Sequence, residues 1–262
     1  MLVQKYKDML SGKSVIRQLS EFASARGRQI GYENVFDYSL GNPSVPVPRD
    51  FTDGMIELLS TRESGELHGY SPSLGIDSVR EAVAASLEKR FGLPYRKEHI
   101  FMASGAAGAL AHAFRLVAQA GEEILTFSPF FPEYHPYVDL TGAVLKVVPA
   151  DTESFQINFE GLEEMLTEKT AAVLINTPNN PSGVVYSADT LEGLARLLRE
   201  RSQQYGHDIY LISDEPYREI VFEGVEAPFV SAFYENTIMC YSFSKSLSLP
   251  GERIGYVAVN PY

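Results

Sequence analysis

Several stretches of the chain set reactive side chains beside residues that break regular structure. The densest is Tyr241-Ser242-Phe243-Ser244-Lys245-Ser246-Leu247-Ser248-Leu249-Pro250-Gly251-Glu252-Arg253, where one lysine stands among four serines with an arginine eight positions on. A lysine held near a second cation and partly desolvated has a lowered pKa and becomes a nucleophilic amine. An arginine offers a planar fork for a phosphate. A solvated lysine is the ordinary alternative, but this one follows the apolar run Ile238-Met239-Cys240-Tyr241 and sits among hydroxyls.

A second apolar run, Ile209-Tyr210-Leu211-Ile212-Ser213, delivers Asp214, with Tyr217 three positions later. A carboxylate at the end of a buried strand calls for a cation partner, unless it merely caps a helix. A third run ends in Thr177-Pro178-Asn179-Asn180-Pro181-Ser182-Gly183, where prolines and a glycine fix the path of a loop that carries an asparagine amide, donor and acceptor together. The turn Ser104-Gly105-Ala106-Ala107-Gly108-Ala109 leads straight into a helical pattern. Its small residues let backbone N–H groups approach an anion at a helix start, or else serve close packing alone. It is neither a dinucleotide fingerprint nor a Walker loop. Ser128-Pro129-Phe130-Phe131-Pro132-Glu133-Tyr134 offers aromatic rings between prolines, a platform for a flat ligand or a cover for the core. An anion cradle, a flat platform, an amide for a phenolate, a buried carboxylate, an imine-forming lysine and a phosphate-binding arginine are together the requirements of one cofactor, pyridoxal 5'-phosphate.

Elements that can position these groups are legible as alternating patterns. Strands are expected at His99–Ala103, Glu123–Phe127, Val144–Val148, Ala171–Asn176, Ile209–Ser213, Thr237–Tyr241 and Gly255–Val259. Helices are expected at Val15–Arg26, Phe51–Ser60, Ile76–Phe91, Ala107–Gln119, Phe159–Leu166 and Ala188–Tyr205. This alternation describes an α/β fold with a doubly wound, mostly parallel seven-stranded sheet, in which ligands bind beyond the carboxyl ends of the strands. The reactive residues above all fall there.

Composition narrows the function classes. The 262 residues hold 22 Lys+Arg against 34 Asp+Glu, a net charge of −12, which argues against nucleic acid or an anionic membrane as the main partner. With 45% hydrophobic residues a full core is available. A single cysteine, Cys240, excludes an internal disulfide framework and reads as a buried thiol. No run approaches a membrane span, and Met1 to Arg28 lacks the apolar region of a signal peptide, so a cytoplasmic protein is expected. The five histidines show no metal-ligand spacing, so no metal site is expected, and the serine-hydrolase elbow is missing.

In combination, Asn176-Thr-Pro-Asn-Asn-Pro-Ser-Gly183, Ser213-Asp-Glu-Pro-Tyr217 and Ser242-Phe-Ser-Lys245 with Arg253 resemble the fold-type I, pyridoxal-phosphate-dependent aminotransferases of class I/II, from about Asn34 to the last residue. The resemblance implies an aspartate aminotransferase-like large domain over 51–262, preceded by an N-terminal arm and part of a small domain over 1–50. It implies that Lys245 forms the Schiff base and shuttles protons, that Asp214 holds the pyridinium proton, and that Tyr217 and Asn180 bond the phenolic oxygen. Phe131 would stack on the ring, with Pro216 on its other face. The N–H groups of Gly105, Ala106 and Ala107, with Ser242 and Arg253, would hold the phosphate. Tyr70 would reach the phosphate of the neighbouring subunit of a homodimer. Gly41 would belong to a loop that closes over substrate, Asn180 would also bind substrate, and Ser128–Pro129 and Asn180–Pro181 would be cis.

The implied reaction moves an amino group between an L-amino acid and a 2-oxo acid. β-Elimination or decarboxylation would use the same cofactor, and a non-catalytic cofactor-binding fragment is the alternative outside enzymology. Members of the family continue well beyond the position matched by Tyr262, into a C-terminal small domain that carries the arginine for the substrate carboxylate. A chain cut before that domain is therefore expected.

Overall fold

In the computed structural model, Lys7 and residues 15–262 are described. They form two compact units, one ending at Pro46 and one running Val47–Tyr262. Among the described residues, the first unit holds helix α1 (Val15–Ile30) and a 3-10 turn over Tyr32–Asn34.

The second unit is built on a seven-stranded sheet: β1 (Ile100–Ala103), β2 (Glu123–Phe127), β3 (Val144–Val148), β4 (Thr170–Asn176), β5 (Tyr210–Asp214), β6 (Thr237–Ser242) and β7 (Gly255–Val259). The order is β1-β7-β6-β5-β4-β2-β3, with β7 antiparallel to both neighbours and the remaining pairs parallel. Every residue of central β4 is buried, as expected of a parallel strand covered on both faces, and its sequence Thr-Ala-Ala-Val-Leu-Ile-Asn is correspondingly apolar.

Side chains of alternate strand residues sort into opposite cores. Ala172, Leu174, Ile212, Ile238 and Cys240 pack beneath α5 (Gly105–Val117) and α6 (Tyr134–Asp139). On the other face, Val173, Ile175 and Leu211 meet α7 (Phe159–Met165) and α8 (Ala188–Tyr205). There α8 contributes Leu191, Leu194, Leu197 and Leu198 at helical spacing, and Ser187 caps its start by accepting from Thr190 N–H. Met239, Tyr241 and Ala258 on that face pack against α4 (Asp77–Phe91). Helices α2 (Arg49–Thr61) and α3 (Ser64–His68) precede α4.

The expected strands and long helices are present, several with ends shifted by a residue or more. Strand β1 starts one residue late because Lys97–His99 form a 3-10 turn, where His99 Nδ1 accepts from Arg96 N–H at 3.0 Å. Helix α5 begins at Gly105, ahead of the expected Ala107, and ends at Val117, while α1 runs past Arg26 to Ile30. The short helices α3, α6 and α9 (Phe243–Ser246) carry too few residues for a period to register in sequence. Both expected cis peptides are found, together with a third at Thr177–Pro178.

Candidate active site

Register alone gathers the reactive positions on one edge of the sheet. Asn176 pairs with Asp214, Asp214 with Cys240, Ser242 with Gly255, and Gly255 with Ala103. The carboxyl ends of β1, β2, β4, β5 and β6 therefore share that edge, and the loops leaving them carry the residues singled out by sequence.

Asp214 ends β5 as a buried side chain. It does not cap a helix, and the cation partner expected for it is not among the described residues. Instead Tyr134 Oη, fully buried at the start of α6, donates to Asp214 Oδ2 at 2.6 Å. Oδ1 is buried and without a hydrogen-bond partner. Burial, above all, pushes this carboxyl up to about 7; the Tyr134 bond works against that shift and the neighbouring Glu215 adds to it. The backbone beneath is braced as well: Asn176 Nδ2 donates to Asp214 O at 2.8 Å, and Asn176 Oδ1 accepts from Asn180 N–H at 2.7 Å. The nearest cation along the chain, Arg218, pairs instead with Glu215, which faces the opposite side of the sheet.

Lys245 lies in the single turn of α9, whose first N–H groups are partly satisfied by Ser242 Oγ, which accepts from Ser244 N–H at 3.1 Å. Its Nζ stands 5.9 Å from the centre of the Tyr217 ring, and partial burial draws its pKa below the usual lysine value. Burial, then the Asp214 charge, push the Tyr217 phenol up, and the neighbouring Asn180 side chain works against that shift. Lys245, Tyr217 and Asn180 are thus brought together, as sequence led one to expect. Phe131 stands edge-on to Tyr134, ring centres 5.7 Å apart, which ties it to the residue that holds Asp214.

The residues expected to form the anion cradle come from three elements. Gly105 opens α5 with φ +70°, and a Cβ there would lie 2.7 Å from Arg253 Nη2, so the guanidinium rests directly against the helix start. Arg253 Nη1 also donates to Pro250 O at 3.0 Å, and the residue itself adopts φ 56°, uncommon for a long side chain. Gly255 completes the packing: a Cβ on it would fall 2.8 Å from Gly105 C. Since Gly255 pairs with Ser242, the hydroxyl, the guanidinium and the N–H groups of Gly105, Ala106 and Ala107 occupy one corner. Tyr70 is fully exposed just after α3. Gly41 lies in the first unit and is exposed.

These residues fit pyridoxal phosphate: an orphaned buried carboxylate oxygen awaits a protonated nitrogen, a depressed amine stands nearby, and a glycine-and-arginine corner suits a phosphate. Comparison with known proteins agrees. The chain matches the family Aminotransferase class I and II over residues 33–261, and it belongs to that family, whose members depend on pyridoxal phosphate. It is 35% identical over 228 residues to an aspartate aminotransferase of Thermotoga maritima, covering 86% of this chain and 58% of that one. It is 33% identical over 250 residues to aromatic-amino-acid aminotransferase 2 of Thermococcus litoralis, covering 94% and 60%. The crystal structure of an amino transferase from Eubacterium rectale superposes with a TM-score of 0.95 at 45% identity, covering all of this chain and 66% of that one. Aspartate aminotransferase from Thermus thermophilus with maleate gives 0.85 at 28% identity, covering 99% and 64%. The chain thus spans under two thirds of the length of these curated relatives.

Sequence reasoning missed Tyr134 and Asn176 as supports of Asp214, and the Glu215–Arg218 pair behind it. Tyr134 lies eighty positions from Asp214, and nothing in the local pattern of either residue signals the other.

Proposed function

We propose that this chain is the cofactor-binding part of an aminotransferase that moves an amino group between an L-amino acid and a 2-oxo acid. The observation that carries the reading is Asp214 Oδ1, buried and unbonded, at the same sheet edge as a desolvated lysine. Pyridoxal phosphate, when bound, supplies an electron sink for the bond broken at the substrate α-carbon.

The chain's own residues would do the rest. Asp214, oriented by Tyr134, holds a proton on the ring nitrogen. Tyr217 and Asn180 bond the phenolic oxygen, and Phe131 and Pro216 confine the ring between them. The N–H groups of Gly105, Ala106 and Ala107, with Ser242 and Arg253, hold the phosphate. Lys245 Nζ would hold the cofactor and, as a neutral amine, would move the proton of the substrate α-carbon. Asn180 is also assigned to the substrate, as is Gly41 of the first unit. Tyr70, fully exposed, is directed to the phosphate of a second copy in a homodimer.

The test is to load the chain with pyridoxal phosphate and screen amino donors by absorbance with product analysis. A 2-oxo acid with the aminated cofactor supports transamination. An amine, or ammonia with pyruvate, supports decarboxylation or β-elimination at the same site. Failure to bind the cofactor at all contradicts the reading.

A further inference from the structure

Behind Asp214, the next residue turns its carboxylate to the reverse face of the sheet and finds there the cation that Asp214 lacks. Glu215 and Arg218 are both buried, and Arg218 Nε and Nη2 both donate to Glu215 Oε2. Ser213 Oγ donates to the other carboxylate oxygen at 2.6 Å. Arg218 Nη1 reaches the carbonyls of Ala227 and Pro228 at 3.3 and 3.4 Å. Its guanidinium stands 5.2 Å and 5.0 Å from the rings of Phe91 and Phe229, which stack on each other at 4.0 Å.

The two charged residues are the ends of a four-residue turn. Arg218 N–H donates to Glu215 O at 3.4 Å, and Pro216 stands at the second place, where its fixed φ suits such a turn. Glu215 N–H donates to Cys240 O at 2.9 Å, continuing the pairing of β5 with β6. Both ends of the turn are therefore anchored in the core, and the residues between them, Pro216 and Tyr217, are half-buried. A buried ion pair is a poor device for stability alone, because desolvation cancels much of its attraction. What it supplies over an apolar pair is a fixed angle and length across the turn.

We propose that the Glu215–Arg218 pair is a positioning device for Tyr217, setting the phenol where it meets Asn180 and the cofactor. The proposal rests on the reading of Tyr217 as a ligand of the cofactor's phenolic oxygen. It differs from that reading in assigning function to two residues that touch neither cofactor nor substrate.

A double-mutant cycle on the pyridoxal-phosphate-loaded chain separates the two. The readouts are the cofactor dissociation constant, the visible absorbance maximum at fixed pH, and the thermal midpoint. Tyr217→Phe is expected to shift the absorbance maximum and to raise the dissociation constant roughly three- to tenfold, the loss of one hydrogen bond. Arg218→Lys keeps the charge, loses the fork, and is expected to move both in the same direction. In the Tyr217→Phe background it is expected to move neither. Glu215→Gln runs through the same cycle, and carries the test if Arg218→Lys does not fold. A pair that serves stability alone lowers the thermal midpoint equally in both backgrounds and leaves the absorbance maximum in place, which overturns the proposal. If Tyr217→Phe itself changes neither absorbance nor affinity, the reading of Tyr217 fails first and the positioning role falls with it.

Discussion

Asp214 and Tyr134 form a buried hydrogen bond with no second protein partner on the remaining carboxylate oxygen. Because burial raises the Asp214 carboxyl from 3.8 to about 7, the folded, cofactor-free chain holds a proton there that the unfolded chain has released. Stability from this group is therefore present at low pH and declines as pH rises from about 4 to about 7. Urea unfolding of the cofactor-free chain across that window, wild type against Asp214→Asn, is expected to show the decline in the wild type and to lose it in the variant. Tyr134→Phe keeps the ring and removes the donor. It should weaken cofactor binding by roughly ten- to a hundredfold, the ~1.5–3 kcal/mol expected of a hydrogen bond to a charged group, measurable by equilibrium dialysis. Asp214 and Lys245 stood out in the sequence because each comes at the end of an apolar run and is chemically out of place there, and Arg253 stood out by its spacing from Lys245. Tyr134 did not, since a phenol three residues beyond Phe131 looks like any core aromatic until the sheet brings Asp214 to it.

Strand β7 meets the first residue of α5 through bare backbone, Gly255 on Gly105. A Cβ at Gly255 would press on Gly105 and on the carbonyl of Tyr241, neither of which can swing aside as a side chain could. Gly255→Ala should thus lower stability by about 1–3 kcal/mol, seen as a fall in thermal midpoint, and weaken phosphate-dependent cofactor binding by tilting the helix start. The small residues Gly105, Ala106 and Ala107 had two sequence readings, an anion turn and close packing; the close packing is found at Gly105, and the anion turn is the role proposed for it. Strands were legible where an apolar or β-branched run had clear punctuation, as in β2, β3 and β7, whose ends match expectation. The one-turn α9, which carries Lys245, was invisible because four residues hold no period.

The second unit carries a run of exposed apolar side chains: Met55, Ile56, Leu58, Leu59, Leu74, Ile76 and Val79. Helix α2 has no buried residue at all. Exposed apolar surface of this extent on one stretch of chain marks an interaction surface, and it flanks Tyr70, the residue proposed to serve a second copy. Light scattering is expected to give twice the mass of the 29.1 kDa chain, and Leu59→Glu to return it to one. Among the described residues no helix is long and apolar enough to cross a membrane. The net charge of −12 does not favour an anionic ligand globally; the proposed phosphate site rests on the local pairing of Arg253 with a helix start.

The central claim is that Lys245 is the residue that takes the cofactor. It is tested most directly by reducing the pyridoxal-phosphate-loaded chain with borohydride and mapping the modified peptide by mass spectrometry. The account predicts the reduced cofactor on Lys245, and no visible cofactor absorbance or covalent adduct in Lys245→Ala. An adduct on another lysine, or one that survives in Lys245→Ala, would contradict it.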